Sequence, residues 1–211
     1  TGAITSSNFT ASQLIVRFYG HDVHPGNAKA LKYGDALAAA CHFISAFPPE
    51  TRPERSEGLE GYIHPWSLKD EGNGQWTVSV RVRYFGKGEG AYLSTLLASA
   101  FKSVMQAFPH VRPVILSSGI QYENVAYSMH PASSAIVTGA SEKTGIPVHF
   151  TSERGGTTAA MFAAKGMTGG MCLFSGQHAV HSVYEYAVLE EMYDSYRLAL
   201  AIIEETAELG K

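Results

Sequence analysis

The sequence predicts an α/β protein in two parts. A split βαβ unit of four strands and two helices spans residues 9–122, and the C-terminal portion of a larger α/β domain spans residues 123–211. Two observations predict this. Residues 10–120 read in order as strand, helix, strand, strand, helix, strand, which is a complete two-layer domain. The remainder alternates helices with two short, fully apolar strands. Such strands normally sit inside a larger sheet, so the first half of that sheet is expected to lie outside this sequence.

Each element has a local signal. Gln13-Leu14-Ile15-Val16-Arg17-Phe18-Tyr19 alternates and ends at Gly20, as a strand does. After a loop holding Pro25 and Gly26, Asn27 is expected to cap a helix running to Phe47, where Pro48-Pro49 stops it. Residues 48–58 are a polar, proline-rich loop. Residues 59–69 read as an edge strand because of Pro65, and Asp70-Glu71-Gly72-Asn73-Gly74 as a turn. Gln75 to Tyr84 alternates as the hairpin partner, and Gly86 to Gly90 is a glycine-rich turn. Tyr92 to Phe108 has helical spacing, and Val111 to Ile120 is a further strand. In the second part, helices are expected over 131–143, 158–164 and 185–209, and strands over 147–151 and 170–174, with a loop over 176–182.

Composition narrows the function classes. The chain has 211 residues, 45% of them apolar, enough for a real core. Its formal net charge is -3 and its pI about 6.3, which argues against nucleic acid as the main partner. No apolar run approaches the roughly 18 residues of a membrane span. Two cysteines, Cys41 and Cys172, are too few for a disulfide scaffold, and a cytoplasmic setting fits. The sequence begins Thr1-Gly2-Ala3 without an initiator Met, and a chain that has been processed, excised or trimmed is expected.

Four groups of residues could carry chemistry. His21 and His24 flank a strand-to-helix loop, where a histidine can donate to a developing oxyanion or serve only the loop. Arg154-Gly155-Gly156-Thr157 sets a guanidinium beside backbone N–H groups and a helix start, either a carboxylate or phosphate clamp or a simple turn. His178, His181 and Glu185 follow the last short strand, the end at which open α/β sheets bind ligands. His181 with Glu185 fits a metal ligand with a supporting carboxylate, and Glu185 equally fits an acidic first-turn residue of the helix. A catalytic zinc takes three protein ligands, and no further set presents itself. Cys172 reads as core. Thr1 could act as an N-terminal nucleophile with its own amine as base, or mark only a boundary.

Three segments together resemble a known family: Asn8-Phe9-Thr10-Ala11 with Val23-His24-Pro25-Gly26-Asn27-Ala28-Lys29; Glu57-Gly58-Leu59-Glu60-Gly61-Tyr62; and Arg154-Gly155-Gly156-Thr157 with Phe174-Ser175-Gly176 through His181 and Glu185-Tyr186. In this order and spacing they resemble peptidase T and its relatives. These are the co-catalytic di-zinc exopeptidases that include the carboxypeptidase G and succinyl-diaminopimelate desuccinylase groups.

The resemblance implies a catalytic α/β domain interrupted by a lid or dimerisation domain. Residues 9–122 would be the lid and residues 123–211 the C-terminal part of the catalytic domain, with the N-terminal catalytic half and most ligands of two zinc ions missing. It further implies His181 as a metal ligand, His24 as a donor to the tetrahedral intermediate, Arg154 as a substrate-carboxylate binder and Asn124 as a substrate contact. The implied partners are a short peptide substrate, a second copy bound through the lid domain and the missing catalytic segment. Hydrolysis of amide bonds in short peptides would then need that segment, and the 211 residues alone would be inactive. A non-catalytic dimerisation or binding module is the alternative. Two departures stand out. The family's Gly-Gly-Thr-Asp-Gly is here Gly155-Gly156-Thr157-Thr158-Ala159, and Tyr184 stands where peptidase T has a histidine.

Overall fold

Alternation along residues 10–84 sets one apolar face against two helices, and this builds the first of two units in a computed structural model of the chain. The structure describes residues 2–168 and 170–209, so Thr1, the N-terminal nucleophile candidate, lies outside the described residues. Phe9–Gln121 forms one unit, and the described residues of Thr1–Asn8 and Tyr122–Lys211 form the other.

The chain opens with β1 (Ala3–Asn8), a strand that its polar sequence does not announce. Then β2 (Thr10–Tyr19), α1 (Ala36–Ser45), β3 (Tyr62–Gly72), β4 (Gln75–Tyr84), α2 (Lys87–Ala107) and β5 (Arg112–Tyr122) follow. The last four strands form one sheet in the order β3-β4-β2-β5, with β4 antiparallel to both neighbours. Strand–helix–strand–strand–helix–strand is the predicted split βαβ order. Leu14, Val16 and Phe18 of β2 and Val78, Val80 and Val82 of β4 all point to the helices and are buried. Phe43 of α1 packs on Phe18 at 5.6 Å and on Phe47 at 5.1 Å.

Turns account for the shifted boundaries. Asn73 and Gly74 both have positive φ, 51° and 69°, the backbone a two-residue hairpin requires, so β3 extends to Gly72. The helix expected from Asn27 begins instead at Ala36. Pro25–Asn27 is a short 3-10 turn, Lys32 is left-handed, and a Cβ on Gly34 would lie 2.3 Å from the His110 carbonyl oxygen. Asp35 is the cap that acts, its Oδ1 accepting from the Ala38 N–H at 2.9 Å. Conversely, the glycine-rich Gly86–Gly90 stretch is mostly helical, because Gly90 packs directly on the Tyr84 ring.

In the other unit β1 runs parallel to β6 (His149–Glu153). The helices α3 (Ser133–Thr144) and α5 (Leu189–Leu209) pack around Ile4, Val137, Ala140, Ile146, Leu198 and Ala201. Gly145, at φ 70°, ends α3 in the left-handed cap. The short α4 (Thr158–Ala163) is capped by Thr157 Oγ1 accepting from the Ala160 N–H at 3.1 Å. Three expectations fail here. Residues 170–174 form no strand; Cys172 makes one isolated bridge to Thr5 and is half-buried instead of lying in the core. The loop over 176–182 opens with a two-residue strand, β7 (Gln177–His178), paired to β8 (Tyr186–Ala187), and α5 starts at Leu189 instead of Glu185.

The aromatic seam under the four-stranded sheet sets its stability. Phe43→Ala is expected to cost about 3–5 kcal/mol, read as a lower urea midpoint at unchanged slope. A midpoint equal to wild type would show that this ring does not carry the core.

Candidate functional site

A tight loop presents His181. Gly176, at φ 70°, starts it, where a Cβ would lie 2.6 Å from the Val188 carbonyl oxygen. Ala179 and His181 are left-handed, at φ 49° and 63°. Such residues cost about 1–3 kcal/mol each and persist only where their surroundings fix them. The fixing is visible. One oxygen of Glu185 accepts from the His181 backbone N–H at 2.7 Å, and the other from Gln177 Nε2 at 2.6 Å. Ser182 Oγ donates to the Ala179 carbonyl at 2.7 Å and accepts from the Tyr184 N–H at 3.1 Å. Glu185 is therefore a loop clasp. The acids in the first turn of α5 are Glu190 and Glu191.

The two histidines of this loop differ. His178 Nε2 lies 2.8 Å from Glu191 Oε2, and its ring stacks on Tyr186 at 5.0 Å. The His181 ring is exposed and makes no hydrogen bond to any described residue. An exposed imidazole on a backbone clasped by Glu185 and Ser182 suits a ligand.

Arg154 follows β6. The adjoining Gly155 N–H is taken by Glu153 Oε1 at 3.2 Å, so the expected free N–H groups beside Arg154 are partly engaged. Gly156 lies against the Tyr122 hydroxyl, where no Cβ fits, and α4 packs beside Val125–Tyr127. Those contacts bring the Arg154 turn and the Asn124 turn to one end of this unit.

Asn124 is 2% exposed and Asn8 is fully buried. Asn124 Oδ1 accepts from the Asn8 N–H at 3.1 Å and from the Ala126 N–H at 3.0 Å. Asn8 returns the bond, its Oδ1 accepting from the Val125 N–H at 2.9 Å. Nothing in the sequence marks Asn8 beyond its place in the Asn8-Phe9-Thr10-Ala11 motif.

His24 belongs to the four-stranded unit. Its Nδ1 accepts from the Gly26 N–H at 3.2 Å, which leaves Nε2–H as the donor of an exposed neutral ring. His21 is engaged otherwise, its Nε2 3.3 Å from the Leu31 carbonyl and its ring edge-on to Tyr33. Among the described residues no three His, Cys, Asp or Glu side chains cluster to hold a metal. Also among them, no helix is long and apolar enough to cross a membrane.

No family model matches the chain. Peptidase T of Haemophilus influenzae strain 86-028NP is 27% identical over 206 residues, covering 96% of this chain and 49% of its own length. Peptidase T of Listeria monocytogenes serotype 4a is 30% identical over 203 residues, covering 95% of this chain and 48% of its own length. The chain is peptidase T-like. This peptidase T-like chain spans about half the length of the curated relatives it matches. Its fold agrees: the crystal structure of aminopeptidase PepT from Bacillus cereus superposes with a TM-score of 0.73 at 19% identity, covering 98% of this chain and 54% of that one. Of the two departures from the peptidase T pattern, Thr158 is the first residue of α4 and Tyr184 is an exposed residue of the His181 loop.

Two outcomes check this geometry. Asn124→Ala leaves two backbone N–H groups without their acceptor, at about 1–3 kcal/mol for each that stays buried, so the urea midpoint is expected to fall; no fall would mean that water replaces the clasp. The hydrogen bonds from the His181 N–H and from Gln177 hold the Glu185 carboxyl below its ordinary range. Its support of the loop is therefore full above the unfolded glutamate pKa and is lost as pH falls through the lower folded value. Protection of the His181 amide against exchange, taken relative to the unstructured rate at each pH and followed by NMR, is expected to fall across that acidic window. Glu185→Ala should remove that protection at every pH, and unchanged protection would remove Glu185 as the clasp.

Proposed function

We propose that this chain is the C-terminal portion of a zinc-dependent metallopeptidase that hydrolyses amide bonds of short peptides, in the manner of a tripeptide aminopeptidase. The observation that carries it is His181, an unengaged imidazole on a clasped left-handed backbone, in a chain that is peptidase T-like along 96% of its length. The donor set does not complete a metal centre. A catalytic zinc takes three protein ligands, and this chain offers His181 without two neighbours of the right type among the described residues. The other donors belong to an N-terminal catalytic half, and no step through zinc is assigned to this chain.

Its own residues would bind and orient. Arg154 would receive a substrate carboxylate in the two-pronged geometry of a guanidinium. Asn124, locked by Asn8, would hold the neighbouring turn in place. His24 would offer its Nε2–H to a developing oxyanion. The four-stranded unit, with a core of its own, would pair two copies in a cytoplasmic homodimer.

The test uses the purified 211-residue chain. It is expected to release no amino acid from a tripeptide and to hold only substoichiometric zinc. Substantial hydrolysis by the chain alone would overturn the proposal. In the complete enzyme, His181→Ala is expected to lower both zinc content and rate; full retention of both would remove His181 as a ligand.

A further inference from the structure

The four-stranded sheet has helices on one face only. The opposite face carries basic, polar and aromatic side chains, with Ile15 among them. The register places Arg17 opposite Thr77, Gln13 opposite Arg81, and Tyr62 and His64 opposite Arg83 and Arg81. Two carboxylates act on this face among the described residues: Glu71, which is engaged by Lys69 at 2.9 Å and Arg17 at 3.4 Å, and Glu54, which acts on His64. Arg81 is exposed and faces no carboxylate among the described residues. Its guanidinium lies 4.3 Å over the ring of Trp66, which is 47% exposed. Arg83 is anchored beside it through Nη1, which donates to the Val82 carbonyl at 3.0 Å. His64 registers the resulting positive potential. Burial first, then Arg81 and Arg83, push its pKa below the ordinary histidine value, against an opposite pull from Glu54.

The distribution of charge along the sequence agrees. Residues 9–121 carry 11 Lys and Arg against 9 Asp and Glu, whereas the rest of the chain carries 5 against 10. The basic face thus sits on the one net-positive unit of an acidic protein.

We infer that the open face of this sheet docks an acidic peptide segment, whose carboxylates are received by Arg81 beside Arg83. A guanidinium that stacks on an indole by its flat face keeps its N–H edge for a two-pronged carboxylate contact. Single-stranded nucleic acid fits less well. Bases need open aromatic faces, and both Trp66 and Tyr19 already carry a guanidinium, from Arg81 and from Arg112 at 4.9 Å. A second copy meeting through the same face would set Arg81 against like charge. Strand addition at the β3 edge is blocked by Pro65 and by register shifts at Pro65/Ser67 and Asp70/Gly72. In this proposal the peptide lies across the face, where Arg81 stands. The inference is independent of hydrolysis, since it concerns binding to the four-stranded unit alone.

The test titrates the full chain with a fluorescein-labelled Glu-Gly repeat peptide, reading anisotropy and intrinsic tryptophan emission. The chain has two tryptophans, and Trp76 packs against the core, so an emission change reports on Trp66. Saturable binding that weakens with added salt is expected. R81E should weaken it about tenfold or more, with an unchanged circular dichroism spectrum, and Arg81→Lys should fall between. In wild type the bound peptide should move the His64 titration, followed by NMR, to higher pH. Absence of binding, equal binding by R81E, or equal binding of a neutral Ser-Gly peptide or an oligothymidylate of the same length would each overturn the inference.

Discussion

Two buried asparagines hold the point where the chain leaves one unit and returns to it. Asn8 is the last residue before the four-stranded unit begins at Phe9, and Asn124 follows closely on the return at Tyr122. Each side chain accepts a backbone N–H from the other crossing. A buried amide without an acceptor costs about 1–3 kcal/mol, so neither crossing can move without exposing or orphaning its partner. Everything nearby inherits that constraint. The end of β1 is pinned, and with it the register of the β1–β6 pair. The turn that carries Val125–Tyr127 is pinned against α4, and the Arg154 turn leans on Tyr122.

The His181 loop applies the same logic to a smaller region. Polar side chains take up the backbone N–H groups that a left-handed turn would otherwise leave open. The two oxygens of Glu185 close the loop from one side, and the hydroxyl of Ser182 closes it from within. The neighbouring His178 is consumed in this work by Glu191 and Tyr186. The result is a short segment in which one imidazole is structural and the next is available, three residues apart.

Legibility in the sequence follows from how local the determinants are. The alternation of Trp76, Val78, Val80, Val82 and Tyr84 reveals β4, because one face of an antiparallel strand meets the core and the other does not. The start of α1 is not legible, because Asn27 and Asp35 are both good caps by type. The choice is made by left-handed Lys32 and by the approach of Gly34 to His110, a contact across 76 residues. β1 is hidden for a similar reason. Ile4 alone supplies its apolar anchor, and its polar side chains are satisfied by β6 far along the chain, as in the 2.6 Å pair of Ser7 and Ser152. Residues 170–174 mislead in the other direction: an apolar run predicts a strand, but a strand needs neighbours. At the site, the residue types and their order are readable. Glu185 as a clasp, His178 as a brace and Asn8 as a lock are not, because each depends on backbone geometry.

The wide separation of β1 from β6 also bears on the order in which the molecule is made. β1 leaves the ribosome before its parallel partner, and Ser7 waits for Ser152 while 144 residues are synthesised between them. Nothing in the four-stranded unit waits that long, since β2, β3, β4 and β5 and both helices lie within the intervening stretch. Domains fold as units during synthesis, and long-range pairing is slow because the loop must be closed first. The inserted unit is thus the natural first product of folding. By condensing, it draws its own two ends together, since β2 and β5 are neighbours in the sheet, and so shortens the search by which β1 finds β6.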